Sequence, residues 1–233
     1  MQLFYQPDIA KGADYLNSEE SRHCIKVLRK KVGDEVTIID GIGNFYTCRI
    51  TEEDARKCKF ETLSTRQETN KAHFIHIAIA PTKNMERLEW FVEKATEIGI
   101  DEISLVICQN SERTVIKNER LFRKAVSAIK QSIKATLPKI NEAVTFKHFI
   151  HSVHCQSKYI ACVDFENTKD LFSMSRPGMN NCVLIGPEGD FSQEEIESSK
   201  SLGWQMVSLG QHRLRTETAG LAACHILNLV NYQ

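Results

Sequence analysis

Residues 182–192 read Cys-Val-Leu-Ile-Gly-Pro-Glu-Gly-Asp-Phe-Ser, an apolar run that passes directly into a glycine-rich turn. A second stretch of the same kind occupies residues 206–219, Met-Val-Ser-Leu-Gly-Gln-His-Arg-Leu-Arg-Thr-Glu-Thr-Ala. Each apolar run suits a short buried strand, and each turn precedes residues that favour the start of a helix. Ligands of open α/β sheets bind outside the carboxyl ends of strands. The two stretches therefore predict one small-molecule site near the C-terminus.

Strand-like and helix-like segments alternate from residue 70 onward. Strands are expected at 76–80, 103–107, 159–163, 182–185 and 206–209, and helices at 84–98, 118–135 and 218–230. Ser192 and Glu195 have the spacing of a capping box, which marks a further helix start. This alternation predicts an α/β fold with a mostly parallel sheet. The last helix is apolar nearly all round, which fits either a core helix or a subunit interface.

The N-terminal part is β-rich instead. Strands are expected at 3–5, 36–39, 45–50 and 57–63, with one helix from Ser18 to Leu28. The polar stretch 64–71 reads as a linker. The sequence thus predicts a small domain over residues 1–69 and a larger α/β domain over residues 70–233.

Composition is that of an ordinary globular protein: 233 residues, 42% hydrophobic, 26% charged, with a formal net charge of zero. No apolar stretch approaches the length of a membrane span, and the N-terminus lacks the pattern of a signal peptide. The eight cysteines contain no Cys-x-x-Cys pair. We therefore expect reduced thiols, a cytoplasmic location and no membrane association.

Charge is unevenly distributed along the chain. Residues 111–139 hold eight Lys or Arg against Glu112 and Glu119. Such an excess suits a phosphate backbone, and it equally suits a solvated helix face. The cluster His148, His151, His154 and Cys155 has ligand-type side chains, but neither helical nor strand spacing makes them converge. We expect no metal site and a polar surface segment there.

The two glycine-rich stretches resemble the SPOUT class of S-adenosylmethionine-dependent RNA methyltransferases, in particular the small-subunit (16S) ribosomal RNA uridine-N3 methyltransferase family. Leu-Arg-Thr-Glu-Thr-Ala at residues 214–219 carries most of the resemblance. His23, Val27-Leu28-Arg29, Gly33-Asp34 and Asp40-Gly41-Ile42-Gly43 extend it over nearly the whole chain.

That resemblance implies a PUA-like RNA-binding β-barrel at residues 1–69 and a SPOUT methyltransferase domain with a C-terminal trefoil knot at residues 70–233. It implies S-adenosylmethionine as cofactor, a homodimer, and 16S rRNA of the small ribosomal subunit as substrate. The expected reaction is methylation of uridine N3.

Site residues follow from the matched motifs. The residues expected at the cofactor are Gly186, Pro187, Glu188, Gly189, Leu209, Gly210, Leu214, Thr216, Glu217, Thr218 and Ala219. Arg215 is the candidate catalytic cation, because it could stabilise a uracil anion; the alternative is a structural salt bridge with Glu217 or with an acid of the stretch 188–197. The residues expected at RNA are Arg22, His23, Arg29, Lys30, Arg113, Lys130, Gln131 and Lys134.

Three features of the sequence depart from the family pattern. Asp190 stands where a second glycine is frequent, and His212-Arg213 displaces an arginine by one position. Lys130 and Lys134 stand where an acid and an arginine are common. These changes put the RNA contacts in question more than the cofactor loops.

Two other functions compete with methyl transfer. A non-catalytic RNA-binding or ribosome-assembly protein would keep the same fold, but it would not need the glycines or Arg215. A phosphate-binding nucleotide site is disfavoured, because no Gly-x-x-x-x-Gly-Lys-Ser/Thr occurs and Glu188 and Asp190 would repel phosphate.

Overall fold

A computed structural model describes residues 2–69, 71–162 and 169–232 of the chain. Its contacts divide the chain into two compact units. One unit comprises Met1–Asn70 together with Val126–Leu137, and the other comprises Lys71–Ala125 together with Pro138–Gln233.

The first unit is built on one four-stranded sheet. Its strands, in the order in which they lie side by side, are β1 (Leu3–Tyr5), β2 (Glu35–Ile39), β3 (Asn44–Glu52) and β4 (Lys59–Gln67). β1 pairs with β2 in parallel, whereas β2, β3 and β4 are antiparallel. Helix α1 (Ser18–Arg22) continues as a π-helical turn over His23–Val27, where the sequence predicts one helix.

The predicted linker at 64–71 is wrong over its first four residues, because β4 continues to Gln67. This part of β4 is polar and exposed, so its sequence lacks the alternation that marks a half-buried strand. Backbone pairing with β3 holds it in place, with Asn44 opposite Gln67. The guanidinium of Arg66 also lies 3.7 Å from the ring centroid of Phe45.

Residues 126–137 belong to the first unit because of an apolar cluster. Ile129 and Ala135 are buried against Leu3, Ile39 and Phe45. Helix α3 (Asn118–Gln131) covers only the first part of this segment. It ends four residues before the end of the helix predicted at 118–135. Ile133 has a φ of 58°, a left-handed conformation that stops the helix upstream of Pro138.

The second unit contains a parallel sheet, as predicted. Its strands lie in the order β10, β12, β9, β11, β5, β6, β7, with β8 paired to β6, and all pairs in the described part are parallel. The strands are β5 (Phe74–Ile79), β6 (Glu102–Ile107), β7 (Lys139–Ile140), β8 (Val144–Thr145), β9 (Ser157–Ala161), β10 (Lys169–Asp170), β11 (Asn180–Ile185) and β12 (Gln205–Ser208). Val163, the end of one predicted strand, lies outside the described residues.

Helices connect these strands. Beside α3, they are α2 (Met85–Ile98), α4 (Phe146–Ser152), α5 (Leu171–Met174), α6 (Gln193–Ser201) and α7 (Thr216–Val230). α2 begins at the Asn84 cap and ends at Gly99, whose φ is 119°. α6 has the predicted capping box. α7 starts two residues earlier than predicted.

The polar surface segment expected around His148 is partly wrong, because α4 covers its first half. Phe146, Phe149 and Ile150 are buried in the core of the second unit, at the spacing of one helical face. Thr145 caps this helix by accepting a hydrogen bond from the His148 backbone N–H. The histidines that lie among these apolar residues make the segment polar in sequence, and this hid its apolar helical face.

α7 packs one side into the core and leaves part of the other accessible. Ala223, Cys224 and Leu227 are fully buried, whereas Leu229 is 44% exposed. None of the helices in the described ranges is long and apolar enough to cross a membrane. The trefoil knot that the resemblance implies stays a prediction.

Candidate active site

A cleft of about 400 Å³ opens in the second unit at the carboxyl ends of β9, β11 and β12. This is the edge of the sheet at which the sequence predicts a ligand. Its lining residues are Arg87, Ala161, Cys162, Ile185, Gly186, Pro187, Glu188, Asp190, Ser208, Leu209, Gly210, His212, Arg213, Leu214, Arg215, Thr216 and Ala219.

The loop after β11 is a tight turn closed by the Asp190 N–H, which donates to the Pro187 carbonyl at 2.9 Å. Asp190 has a φ of 61°, a left-handed conformation that glycine adopts at less cost. A Cβ on Gly186 would approach the Phe191 ring to 3.0 Å, so this glycine lets the loop lie directly on a buried aromatic side chain.

The loop after β12 has a different requirement for glycine. Gly210 has a φ of 131°, and its backbone exchanges hydrogen bonds with the Ser208 hydroxyl. A Cβ on Gly210 would meet nothing within 4 Å, so the conformation and not crowding by protein atoms requires glycine here. The side of Gly210 on which a Cβ would stand is therefore open.

Three hydrogen bonds tie the loops together. The Thr216 hydroxyl donates to the Gly186 carbonyl at 3.1 Å, in a buried contact between the start of α7 and the end of β11. Arg213 Nη2 donates to the Glu188 carbonyl at 3.0 Å. The Glu188 side chain accepts from the Lys83 N–H at 3.1 Å. The cleft is thus held by cross-links between loops that are distant in sequence.

Three arginines line the cleft, and two of them, Arg87 and Arg215, have different surroundings. Arg87 Nε lies 3.7 Å from Oε1 of Glu217, which is 6% exposed. The other carboxylate oxygen of Glu217 is buried with no hydrogen-bond partner among the described residues. Arg215, at the N-cap of α7, is exposed, and no carboxylate of the described part lies within salt-bridge distance of it. Glu217 therefore pairs with Arg87, and Arg215 is an exposed residue of the cleft lining.

The structure brings most of the predicted cofactor residues into this cleft. Gly189, Glu217 and Thr218 do not line it, whereas the other eight do. Gly189 instead packs on Asn110, whose amide donates to the carbonyls of Gly189 and Asp190. Arg87 and Ala161-Cys162 were not predicted. The latter pair follows β9, and the same rule about carboxyl ends of strands could have found it.

The predicted RNA residues are scattered, and several are engaged within the protein. Arg113 donates to the Thr82 and Lys83 carbonyls, next to the Glu188 side chain. Lys130 lies in the first unit, where it forms a 2.6 Å ion pair with the largely buried Glu20. Gln131 is exposed and Lys134 is half-buried in the same unit.

The four RNA candidates of the N-terminal segment also differ in accessibility. Arg22 and Arg29 are exposed, the His23 ring packs 5.9 Å from Phe4, and Lys30 donates to the Glu35 carbonyl. Arg22 and Arg29 are therefore the cations of this group most available to a phosphate.

The positive charge of α3 is largely balanced by neighbouring acids. Arg120 pairs with Glu89 at 2.7 Å, Lys124 with Glu93 at 3.7 Å, and Arg123 with Glu119. Because Glu89 and Glu93 belong to α2, a count of charges over residues 111–139 does not include these two acids. The pairs favour a structural role for much of this charge over a phosphate-binding one.

A family model described as RNA methyltransferase domain matches residues 69–228, and one described as RNA methyltransferase PUA domain matches residues 16–63. The chain belongs to the RNA methyltransferase domain family. Its N-terminal part is the PUA domain of that family, and the cleft lies within the methyltransferase domain.

Individual relatives agree with this assignment. A probable rRNA-methyltransferase from Porphyromonas gingivalis has 40% identity and a TM-score of 0.94, covering 100% of this chain and 99% of its own. A ribosomal RNA small subunit methyltransferase E from Neisseria gonorrhoeae, bound to S-adenosyl methionine, has 25% identity and a TM-score of 0.85, covering 99% and 98%. A ribosomal RNA small subunit methyltransferase E from Aquifex aeolicus is 26% identical over 97% of this chain and 99% of its own.

Proposed function

We propose that this protein transfers a methyl group from S-adenosylmethionine to N3 of a uridine in 16S rRNA of the small ribosomal subunit. The observation that carries the proposal is the cleft, in which the loops after β11 and β12 are joined by the Thr216–Gly186 hydrogen bond. The relatives support it by their names and, for the protein from Neisseria gonorrhoeae, by the bound S-adenosyl methionine.

The residues present fit S-adenosylmethionine. A volume of about 400 Å³ lies within the range of small-molecule sites. Ile185, Leu209, Leu214 and Ala219 supply apolar walls, and the open side of Gly210 allows a ligand to approach the backbone. The two loops would hold the cofactor mainly through backbone groups. When bound, S-adenosylmethionine would supply a methyl group attached to a positively charged sulfur. The sulfur is the leaving group, and its departure requires no acid or base.

Positioning of the acceptor is then the main catalytic requirement. N3 of uridine carries a proton, and its loss leaves negative charge shared between N3 and the carbonyl oxygens O2 and O4. We assign stabilisation of that charge to Arg215, because this residue lines the cleft and is exposed. Glu217 is disfavoured as the base that removes the proton, because it is buried and its carboxylate faces Arg87.

Substrate binding by the PUA domain belongs to the same proposal. Arg22 and Arg29 are exposed and suit contacts with phosphates, which position a protein on RNA without specifying sequence. The uridine must be unpaired or turned out of its helix, since N3 lies on the base-pairing edge. We also propose a cytoplasmic homodimer, and the exposed Leu229 on α7 supports an interface on that helix.

Methyl transfer to small ribosomal subunits that lack the modification tests this function. The protein, S-adenosylmethionine with a labelled methyl group, and either subunits or free 16S rRNA are incubated together. We expect label in the RNA of the subunits. Calorimetry with S-adenosylmethionine and, separately, ATP shows which ligand the cleft takes. Binding of S-adenosylmethionine without transfer to either RNA would contradict the substrate, and RNA binding without cofactor binding would favour a non-catalytic assembly role.

A further inference from the structure

The three arginines of the cleft differ in the partners that their guanidinium groups already have. Arg213 Nη2 donates to the Glu188 carbonyl, and Arg215 is exposed at the N-cap of α7. Arg87 is the least exposed of the three, with 39% of its side chain accessible. None of the described residues accepts a hydrogen bond from its guanidinium, although an arginine carries several N–H donors. Because a partly buried cation with unmet donors is costly, these donors indicate an acceptor that a ligand of the cleft supplies.

One buried carboxylate holds Arg87 in place. Oε1 of Glu217 lies 3.7 Å from Arg87 Nε, and Glu217 is 6% exposed. Glu217 stands in the first turn of α7, next to Thr216, whose hydroxyl donates to the Gly186 carbonyl. The carboxylate therefore belongs to a fixed part of the fold, and it compensates part of the arginine charge. Since the ion pair is made at Nε, the terminal groups Nη1 and Nη2 are left to donate hydrogen bonds to a ligand.

Given that S-adenosylmethionine occupies this cleft, as the proposed function requires, we propose that Arg87 binds the carboxylate of its methionine part and that Glu217 positions Arg87. A guanidinium presents parallel N–H groups whose spacing matches the two oxygens of a carboxylate. Adenine and ribose offer only uncharged acceptors, so the carboxylate is the group of the cofactor that best matches Arg87. By fixing the methionine end of the cofactor, Arg87 helps to hold the methyl group in line with its acceptor.

Charges elsewhere in the cleft favour the same placement. Glu188 and Asp190, on the loop after β11, line the cleft, and both would repel a carboxylate. Their side chains accept from backbone N–H groups, and neither is paired with Arg87. A carboxylate is therefore favoured on the side of Arg87. Arg215 is more exposed than Arg87, so it remains available to the RNA, which enters from solvent.

Calorimetry with two ligands isolates this contact. S-adenosylmethionine is compared with its decarboxylated form, which keeps the adenine, ribose, sulfonium and amino groups and lacks only the carboxylate. Arg87→Met keeps much of the side-chain length and removes the charge. We expect it to weaken binding of S-adenosylmethionine about ten-fold, since a hydrogen-bonded ion pair is lost. The same variant should not weaken binding of the decarboxylated form, because that ligand has no carboxylate for Arg87 to hold.

Two further variants control for folding and for charge. Arg87→Met leaves the Glu217 carboxylate buried without its partner, which destabilises a protein. Arg87→Met combined with Glu217→Gln removes both charges, so this double variant should melt closer to the unaltered protein and show the same loss of affinity for S-adenosylmethionine. Arg215→Met removes an arginine of the cleft that does not serve the carboxylate. It should leave the ratio of the two affinities unchanged.

The ratio of the two affinities decides the outcome. An unchanged ratio in Arg87→Met, or a change of that ratio in Arg215→Met instead, would overturn the inference. Normal binding of both cofactor forms by Arg87→Met, with weaker binding of 16S rRNA, would assign Arg87 to a phosphate and overturn it as well. Failure of the unaltered protein to bind S-adenosylmethionine would overturn both this inference and the proposed cofactor. The binding constants do not depend on methyl transfer, so a wrong RNA substrate would leave the role of Arg87 intact.

Discussion

Thr216 joins the two loops of the cleft through a single buried side chain. Replacing it with valine keeps the shape and removes the hydrogen bond to the Gly186 carbonyl. We expect Thr216→Val to lower the free energy of unfolding by about 1 kcal/mol and to weaken binding of S-adenosylmethionine. Urea unfolding and calorimetry measure the two effects. Thr218→Val, on the same helical turn but outside the cleft, is the control, and equal behaviour of the two variants would show that the cross-link is unimportant.

Gly220 shows how tightly α7 packs on its neighbours. A Cβ at this position would approach the Phe91 ring to 2.8 Å and Ile79 to 3.0 Å. In an uncrowded helix Gly→Ala stabilises by about 1 kcal/mol, but overpacking of a core costs about 1–3 kcal/mol. We therefore expect Gly220→Ala to reduce the free energy of unfolding in denaturant. An increase in the free energy of unfolding would contradict this prediction, because it would show that the space beside Gly220 accommodates a methyl group.

At the scale of elements, the start of α6 depends on the Glu195 carboxylate, which accepts two backbone hydrogen bonds. Glu195 accepts from the Ser192 N–H, completing the capping box, and also from the Gln109 N–H at 2.8 Å. Losing the Ser192 cap should cost about 1 kcal/mol. Glu195→Ala should cost more, because it leaves two backbone donors without their partner. The exposed Glu194→Ala is the control in thermal or chemical unfolding. Equal stability of Ser192→Ala and Glu195→Ala would argue against the bridge to Gln109.

The elements differ in how well the sequence predicts them. Local chemistry was sufficient for α6, where Ser192 and Glu195 mark the start, and for α2, which Asn84 and Gly99 bound. Local chemistry did not predict α4, a helix of only seven residues whose apolar side chains lie among histidines. It also failed at the end of β4, where polar side chains hide a backbone that is paired with β3.

The sequence predicted those parts of the candidate site in which the residues of a motif themselves line the cleft. The loops after β11 and β12 line the cleft as their glycines indicate. Arg87 reaches the same cleft from α2, and its pairing with Glu217 depends on tertiary packing that no local pattern encodes. The compensation of α3 by Glu89 and Glu93 was hidden for the same reason.

At the scale of the whole molecule, the first unit is completed by a segment from the middle of the chain. Leu3, Ile39 and Phe45 pack on Ile129 and Ala135. A fragment of residues 1–70 would expose this apolar surface, and we expect it to bind a hydrophobic dye and unfold without a cooperative transition. Joining residues 126–137 to it through a flexible linker should restore cooperativity. Cooperative unfolding of the short fragment alone would show that the middle segment is dispensable.

Methyl transfer to uridine N3 leaves a product that nucleoside mass spectrometry identifies. Small ribosomal subunits that lack the modification are treated with the protein and S-adenosylmethionine, and their 16S rRNA is digested and analysed. We predict N3-methyluridine with the unaltered protein and a large loss of its formation with Arg215→Ala at saturating cofactor. A methyl group on another atom or base, or no methylated nucleoside despite bound cofactor, would contradict the claim.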